Sequence, residues 1–195
     1  DTAGPTVTIN QAGTQVDPTG TSPINFTVVF SEAVTGFTNA SLNISGSAGA
    51  TTGVVTGSGT TYNVAVTGMS VSGTVFVTIT DSAGFDAAGN PSATSTSTDN
   101  TVTYDTGAPT VTINKAVGQA DPTNTSPINF TVVFSEPVTG FTGADVALGG
   151  TAGATTAVVT GAGTTYNVAV SGMIGSGTVT ATVAAGNAQD AAGNG

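Results

Sequence analysis

Three observations predict an all-β protein made of two tandem immunoglobulin-like Greek-key β-sandwiches. Strand-length runs alternate apolar with polar residues, no helix-period stretch interrupts them, and the chain repeats itself at a fixed offset of 104 residues. Residues 1–91 align with 105–195 without a gap, and 61 of those 91 pairs are identical. A period of about 100 residues is too long for a solenoid turn and fits one whole sandwich domain. The reading places repeat one at residues 1–104 and repeat two at residues 105–195.

Within repeat one, the alternation of Thr6–Ile9 predicts strand A, Ile24–Phe30 strand B and Ser41–Ile44 strand C. Thr52–Val55 predicts strand D, Tyr62–Val66 strand E, Thr74–Thr80 strand F and Ser95–Tyr104 strand G. Gly, Pro, Asn and Asp clusters separate the runs, as turns require. Ile9, Phe26, Val28, Phe30, Val64, Val66, Met69 and Val75 are expected to face inward. With no Cys and no Trp, the chain lacks the disulfide and core tryptophan of antibody-type domains.

Composition excludes more than it suggests. The 195 residues include no His, no Cys, no Arg and a single Lys, Lys115. General acid–base chemistry near neutral pH and Ser or Thr nucleophiles that need an imidazole therefore lack their usual groups, so no enzymatic activity is expected. Thiolate and imidazole zinc sites cannot be built. A net charge of −10 with one basic residue leaves nothing to neutralise phosphates, which argues against nucleic acid and anionic membrane surfaces as partners. Only 6% of residues are charged while 38% are hydrophobic, so the chain can fill a core and is not an acidic disordered tail. No run of about 18 apolar residues predicts membrane insertion. The opening residues Asp1–Pro5 resemble no export signal, and the chain is expected to be an internal segment of a longer exported protein.

Asp105-Thr106-Gly107-Ala108-Pro109, Phe134-Ser135-Glu136-Pro137-Val138 and Asp190-Ala191-Ala192-Gly193-Asn194 resemble the repeat signature of bacterial Ig-like domains. The resemblance covers the whole chain. It implies a sandwich fold and an extracellular setting, in tandem arrays of large surface adhesins. It implies no ligand, because a fold does not carry a function.

The carboxylates are the remaining chemistry. Four are present in both copies: Asp1 with Asp105, Asp17 with Asp121, Glu32 with Glu136 and Asp86 with Asp190. The start of strand A and the B–C and F–G loops share one pole of such a sandwich, so Asp105, Glu136 and Asp190 should converge there. Their repeat-one counterparts Asp1, Glu32 and Asp86 should do the same, with Asp17 meeting the repeat-two set from the preceding domain. Acids gathered without Lys or Arg call for a hard cation, and loop geometry suits Ca2+ better than magnesium. Asn194 or backbone carbonyls would complete the shell. The competing reading is that these acids only cap turns. Repeat one has Gln11 at the position of Lys115, which argues against an isopeptide crosslink.

Repeat two reaches Gly195 without a counterpart of Ser92–Tyr104. One reading places that strand further along a longer chain; the other has a neighbouring molecule donate it. The function expected is a structural, extending module of a bacterial cell-surface adhesin or fibre, stiffened by the short linker Tyr104–Pro109 and by calcium. Its partners are neighbouring repeats of the same chain, with self-association as a further expectation and no adhesive target legible. The alternatives are a self-assembling filament or sheath subunit completed by strand exchange, and a ligand-binding module.

Overall fold

In a computed structural model describing residues 2–195, the chain divides into two units, Asp1–Thr106 and Gly107–Gly195. In the first, β1 (Val7–Gln11), β2 (Ile24–Val34) and β4 (Thr52–Thr67) form one antiparallel sheet, in the order β1-β2-β4. The second sheet is β3 (Leu42–Ser45), β5 (Gly73–Ile79) and β6 (Thr101–Tyr104), in the order β3-β5-β6. Strand and sheet order are those of an immunoglobulin-like sandwich.

The register of β1 on β2 pairs Val7 with Phe30 and Ile9 with Val28, so alternate side chains of both strands share the inner face. Val7, Ile9, Ile24, Phe26, Val28, Phe30, Val64, Val66, Val75, Val77, Ile79 and Val102 are essentially fully buried between the sheets. Each contributes on the order of 1.5–3 kcal/mol by leaving water. Met69 lies at the margin of this core, half-buried, because it follows the strand in a loop.

Strands D and E were expected as separate elements. They form one continuous extended element, β4, which doubles back on itself. Gly57 (φ +118°) and Gly59 (φ +71°) take the positive φ of the reversal. Outside it, the Thr51 amide donates to Thr67 O at 3.1 Å. A Cβ on Gly57 would fall 2.7 Å from Thr61 O, so no larger residue fits the turn. At one end of the core, Phe30, Phe37 and Tyr62 meet edge to face, with centroids 5.1–5.8 Å apart. The buried Tyr62 hydroxyl donates to Val34 O at 3.1 Å.

Strand G is shorter than expected. Only Thr101–Tyr104 forms regular ladder with β5, pairing Val102 with Val75 and Tyr104 with Gly73. The residues before it follow the other sheet: Thr96 bridges Thr8 in parallel, the Ile9 amide donates to Thr96 O at 3.3 Å, and the Thr96 amide donates to Val7 O at 3.0 Å. One segment therefore pairs with an edge of each sheet.

The second unit repeats the plan with β7 (Val111–Lys115), β8 (Ile128–Val138) and β10 (Thr156–Ser171) in one sheet, and β9 (Val146–Gly149) with β11 (Thr180–Val183) in the other. β11 begins at Thr180, the counterpart of Phe76, three residues later than β5 does. Those three, Gly177–Val179, correspond to Gly73–Val75, which pair with strand G in repeat one. Val111 is 36% exposed where Val7 is 2%, and Ile113, Ile128, Phe130 and Val179 are only half-buried.

Replacing Tyr62 with Phe removes the donor from a buried carbonyl and is expected to lower stability by about 1–2 kcal/mol. Phe30→Ala should lower it by about 3–5 kcal/mol through the cavity it leaves. Denaturant titration of both variants checks the order, and a Tyr62→Phe loss equal to that of Phe30→Ala would contradict it.

Candidate functional site

The acids carried in both repeats divide by environment. Asp86 and Asp190 are buried, Glu32, Asp105 and Glu136 are half-buried, and Asp17 and Asp121 are exposed. Asp1 lies outside the described residues.

Asp86 and Asp190 build the same turn. Asp86 Oδ1 accepts the amides of Ala88 and Asn90, both at 2.8 Å, and Oδ2 accepts Asn90 Nδ2 at 2.8 Å. Asp190 Oδ1 accepts the amides of Ala192 (2.8 Å) and Asn194 (2.9 Å), and Oδ2 accepts Asn194 Nδ2 at 2.9 Å. Gly89 and Gly193 supply the left-handed residue that each turn requires, at φ +86° and +89°. The local cause is the spacing Asp-x-x-Gly-Asn, which lets one short carboxylate reach two amides ahead of it. Turn capping therefore holds for these two acids. Asn194, expected as a metal ligand, directs its amide nitrogen at Asp190.

The hydrogen bonds decide the protonation state. The Asn90 side chain, against some opposition from burial and with help from the backbone amides, holds the Asp86 carboxyl below its ordinary range. For Asp190, burial pushes upward, but the Asn194 side chain and the Asn194, Ala192 and Gly193 amides together outweigh it and hold the group low. Both are anionic at neutral pH.

Within the second unit, the carboxylate oxygens of Glu136 and Asp190 lie within 4.8 Å of each other. Glu136 follows the inward-facing Phe134 on β8, and Asp190 sits in the turn after Gln189, whose backbone pairs with Thr139 just beyond β8. The residues leading into β7 run beside this point: the Ser135 amide donates to Thr110 O at 2.9 Å, and the Thr110 amide to Ser135 Oγ at 2.9 Å.

Asp17 and Asp121 do different work. Asp17 Oδ1 accepts the Thr103 amide at 2.9 Å and anchors the end of strand G to the loop after β1. Asp121 Oδ2 accepts Lys115 Nζ at 3.2 Å in an ion pair whose side chains are 68% and 49% exposed. Such a surface pair contributes roughly 0–1 kcal/mol. Asp105 Oδ1 accepts the Ser72 hydroxyl at 3.2 Å, and its amide donates to Thr19 O at 2.8 Å. The anchoring role of Asp17 was not foreseen; its signal was the Asp-Pro at the same place in both repeats.

A group whose folded pKa is depressed stabilises the protein above its ordinary pKa, and that stability is lost as the pH falls through the folded value. Asp86→Asn is accordingly expected to be less stable than the parent chain at pH 7, with the gap closing as the pH drops below about 4. Thermal melts across pH 2–7 check this, and a gap that widens in acid would contradict it.

The two stretches 1–104 and 105–195 each match the family model described as a bacterial Ig-like domain. No curated protein matches the chain.

Proposed function

Since the chain belongs to the bacterial Ig-like domain family, as two tandem members of it, we propose that it is a structural, extending module of a bacterial cell-surface adhesin or fibre. The observation that carries this is the gap-free duplication, with 61 of 91 residue pairs identical, of a domain whose polar groups serve its own turns and edges. Domains of this family are typically non-catalytic and are common in extracellular and surface proteins. Among the described residues, no helix is long and apolar enough to cross a membrane. The absence of His, Cys and Arg supports a spacer without catalysis.

The reading includes calcium. Two oxygens bound to one calcium ion at 2.3–2.6 Å lie at most about 5 Å apart. The Glu136 and Asp190 oxygens satisfy that limit, and hard carboxylate donors suit the ion. Asp190 is already held anionic, and Lys115, the single Lys of the chain, is engaged by Asp121. Asp105, the residue that opens repeat two, is the third donor of this reading, because the start of strand A shares a pole of such a sandwich with the B–C and F–G loops. Glu32 and Asp86, with Asp1, are the corresponding set in repeat one. Bound calcium would offset the repulsion among these acids and fasten the loops at the start of each repeat.

Two experiments test this. Antibody raised against the chain should label intact, unpermeabilised cells that produce the parent protein, and labelling only after lysis would overturn the surface assignment. Millimolar calcium should raise the melting temperature by mass action and chelation should reverse it. Glu136→Ala should blunt the rise while Lys115→Ala leaves it; a melting temperature indifferent to calcium and chelator would remove the ion from the account.

A further inference from the structure

We propose that repeat one carries a glycan-binding face: the outer surface of the β3-β5-β6 sheet takes up a neutral pyranose chain, stacked on Phe76 and hydrogen-bonded by the side chains around it. This gives the module a ligand of its own and is independent of the extender and calcium readings.

Strand alternation places the ring. Val75, Val77 and Ile79 of β5 point into the core, so Thr74, Phe76 and Thr78 point outward, and Phe76 is 36% exposed. The register sets Ser45 on one side of Phe76 and Thr101 on the other, with Asn43 paired to Thr78 two positions along. Cross-strand neighbours of this kind have Cβ atoms about 4.5–5.5 Å apart, within reach of an aromatic ring. Asn43, Ser45 and Thr101 are exposed and Thr78 is half-buried. Among the described residues, none of these four side chains has a hydrogen-bond partner. Elsewhere in the unit such groups are committed: Asn10, Asn25, Ser47, Ser92 and Asn100 all hold backbone or side-chain partners.

Asn43 also borders a cleft of about 480 Å3 beside β3, shared with Asn39, Leu42, Ile44, Thr51 and Thr52. Asn39 spends its Oδ1 on the Val55 amide at 2.7 Å and keeps its Nδ2 donor for a ligand. Ring and cleft together offer apolar contact fringed by amides and hydroxyls.

That chemistry selects the occupant. Amide and hydroxyl side chains supply donors and acceptors together, as the hydroxyls of a sugar demand. The C–H face of a pyranose is apolar and slightly positive, which suits the negative face of a phenyl ring. No residue of the face or the cleft is charged, and a chain of net charge −10 repels anionic sugars. One part-exposed ring falls far short of the roughly 800 Å2 per partner, with an apolar centre, that a stable protein interface buries.

Repeat two supplies an internal comparison. Gly143, Ala147, Gly149 and Thr180 stand where repeat one has Asn39, Asn43, Ser45 and Phe76. The ring and three polar side chains are gone, yet Thr180 still pairs with Gly149 and Thr182 with Ala147, as Phe76 pairs with Ser45 and Thr78 with Asn43. The sheet therefore does not need these side chains to form.

The test titrates the 195-residue chain with cellohexaose, maltohexaose and mannohexaose, and with the hexamer of galacturonic acid as anionic control, read by calorimetry and amide chemical shifts. At least one neutral hexasaccharide should bind saturably with a Kd on the order of 1 mM, as fits a shallow site with one ring. Shifts are expected at Asn43, Ser45, Phe76 and Thr101 and not at Ala147, Gly149 or Thr180, and the acidic hexamer should bind more weakly. Phe76→Thr, which installs the repeat-two residue, should weaken binding about tenfold with the melting temperature little changed, and Phe76→Trp should strengthen it several-fold. Asn43→Ala, which leaves the ring in place, should weaken it about threefold. No saturable binding of any neutral hexasaccharide, preference for the acidic one, or undiminished binding by Phe76→Thr would overturn the proposal. So would sedimentation showing a dimer that Phe76→Thr dissolves, since a second copy would then cover the face.

Discussion

The sandwich depends on how its two sheets are joined at an open edge. A sheet edge exposes a row of amides and carbonyls, and a two-layer core also leaks water along that line. In repeat one a single segment closes both problems. Residues 92–104 pair first with β1 and then with β5, and place Val102 in the core. Along it, Val7, Ile9 and Val75 are essentially fully buried.

Fixed charges are placed with similar economy. A chain with one Lys and no Arg has almost no cation to offer its carboxylates. Asp86, Asp190 and Asp17 are instead satisfied by amides, each holding a turn or a strand end in place. Charge-assisted bonds of this kind are stronger than neutral ones and fix loop geometry without a metal. The Glu136–Asp190 pair brings like charges together within the second unit, and the calcium proposal builds on it.

Much of this was legible before any coordinates. Periodicity of two, with punctuation by Gly and Pro, located the strands, and Ile9, Phe26, Val28, Phe30, Val64, Val66 and Val75 are buried as read. The family resemblance read from Asp105–Pro109, Phe134–Val138 and Asp190–Asn194 agrees with the family match. Boundaries were less legible. The reversal inside β4 falls at Gly57 and Gly59, between the runs read as D and E, but nothing in the hydropathy showed that the strand continues through it. The split loyalty of residues 92–104 was hidden because Ser and Thr suit either sheet edge, and Val102 is the segment's buried aliphatic residue. Among the acids, Asp-x-x-Gly-Asn was a readable turn signature. The anchoring of Thr103 by Asp17 was not, since it joins residues 86 apart.

Native-state hydrogen exchange measures the closure most directly, because protection reports the free energy of opening each backbone pair. On the 195-residue chain, Val102→Asp should speed exchange of the Val75 and Val77 amides, which pair with that segment, at least about tenfold. Protection at Val75 and Val77 unchanged by the substitution would contradict the claim that the segment 92–104 closes the sandwich.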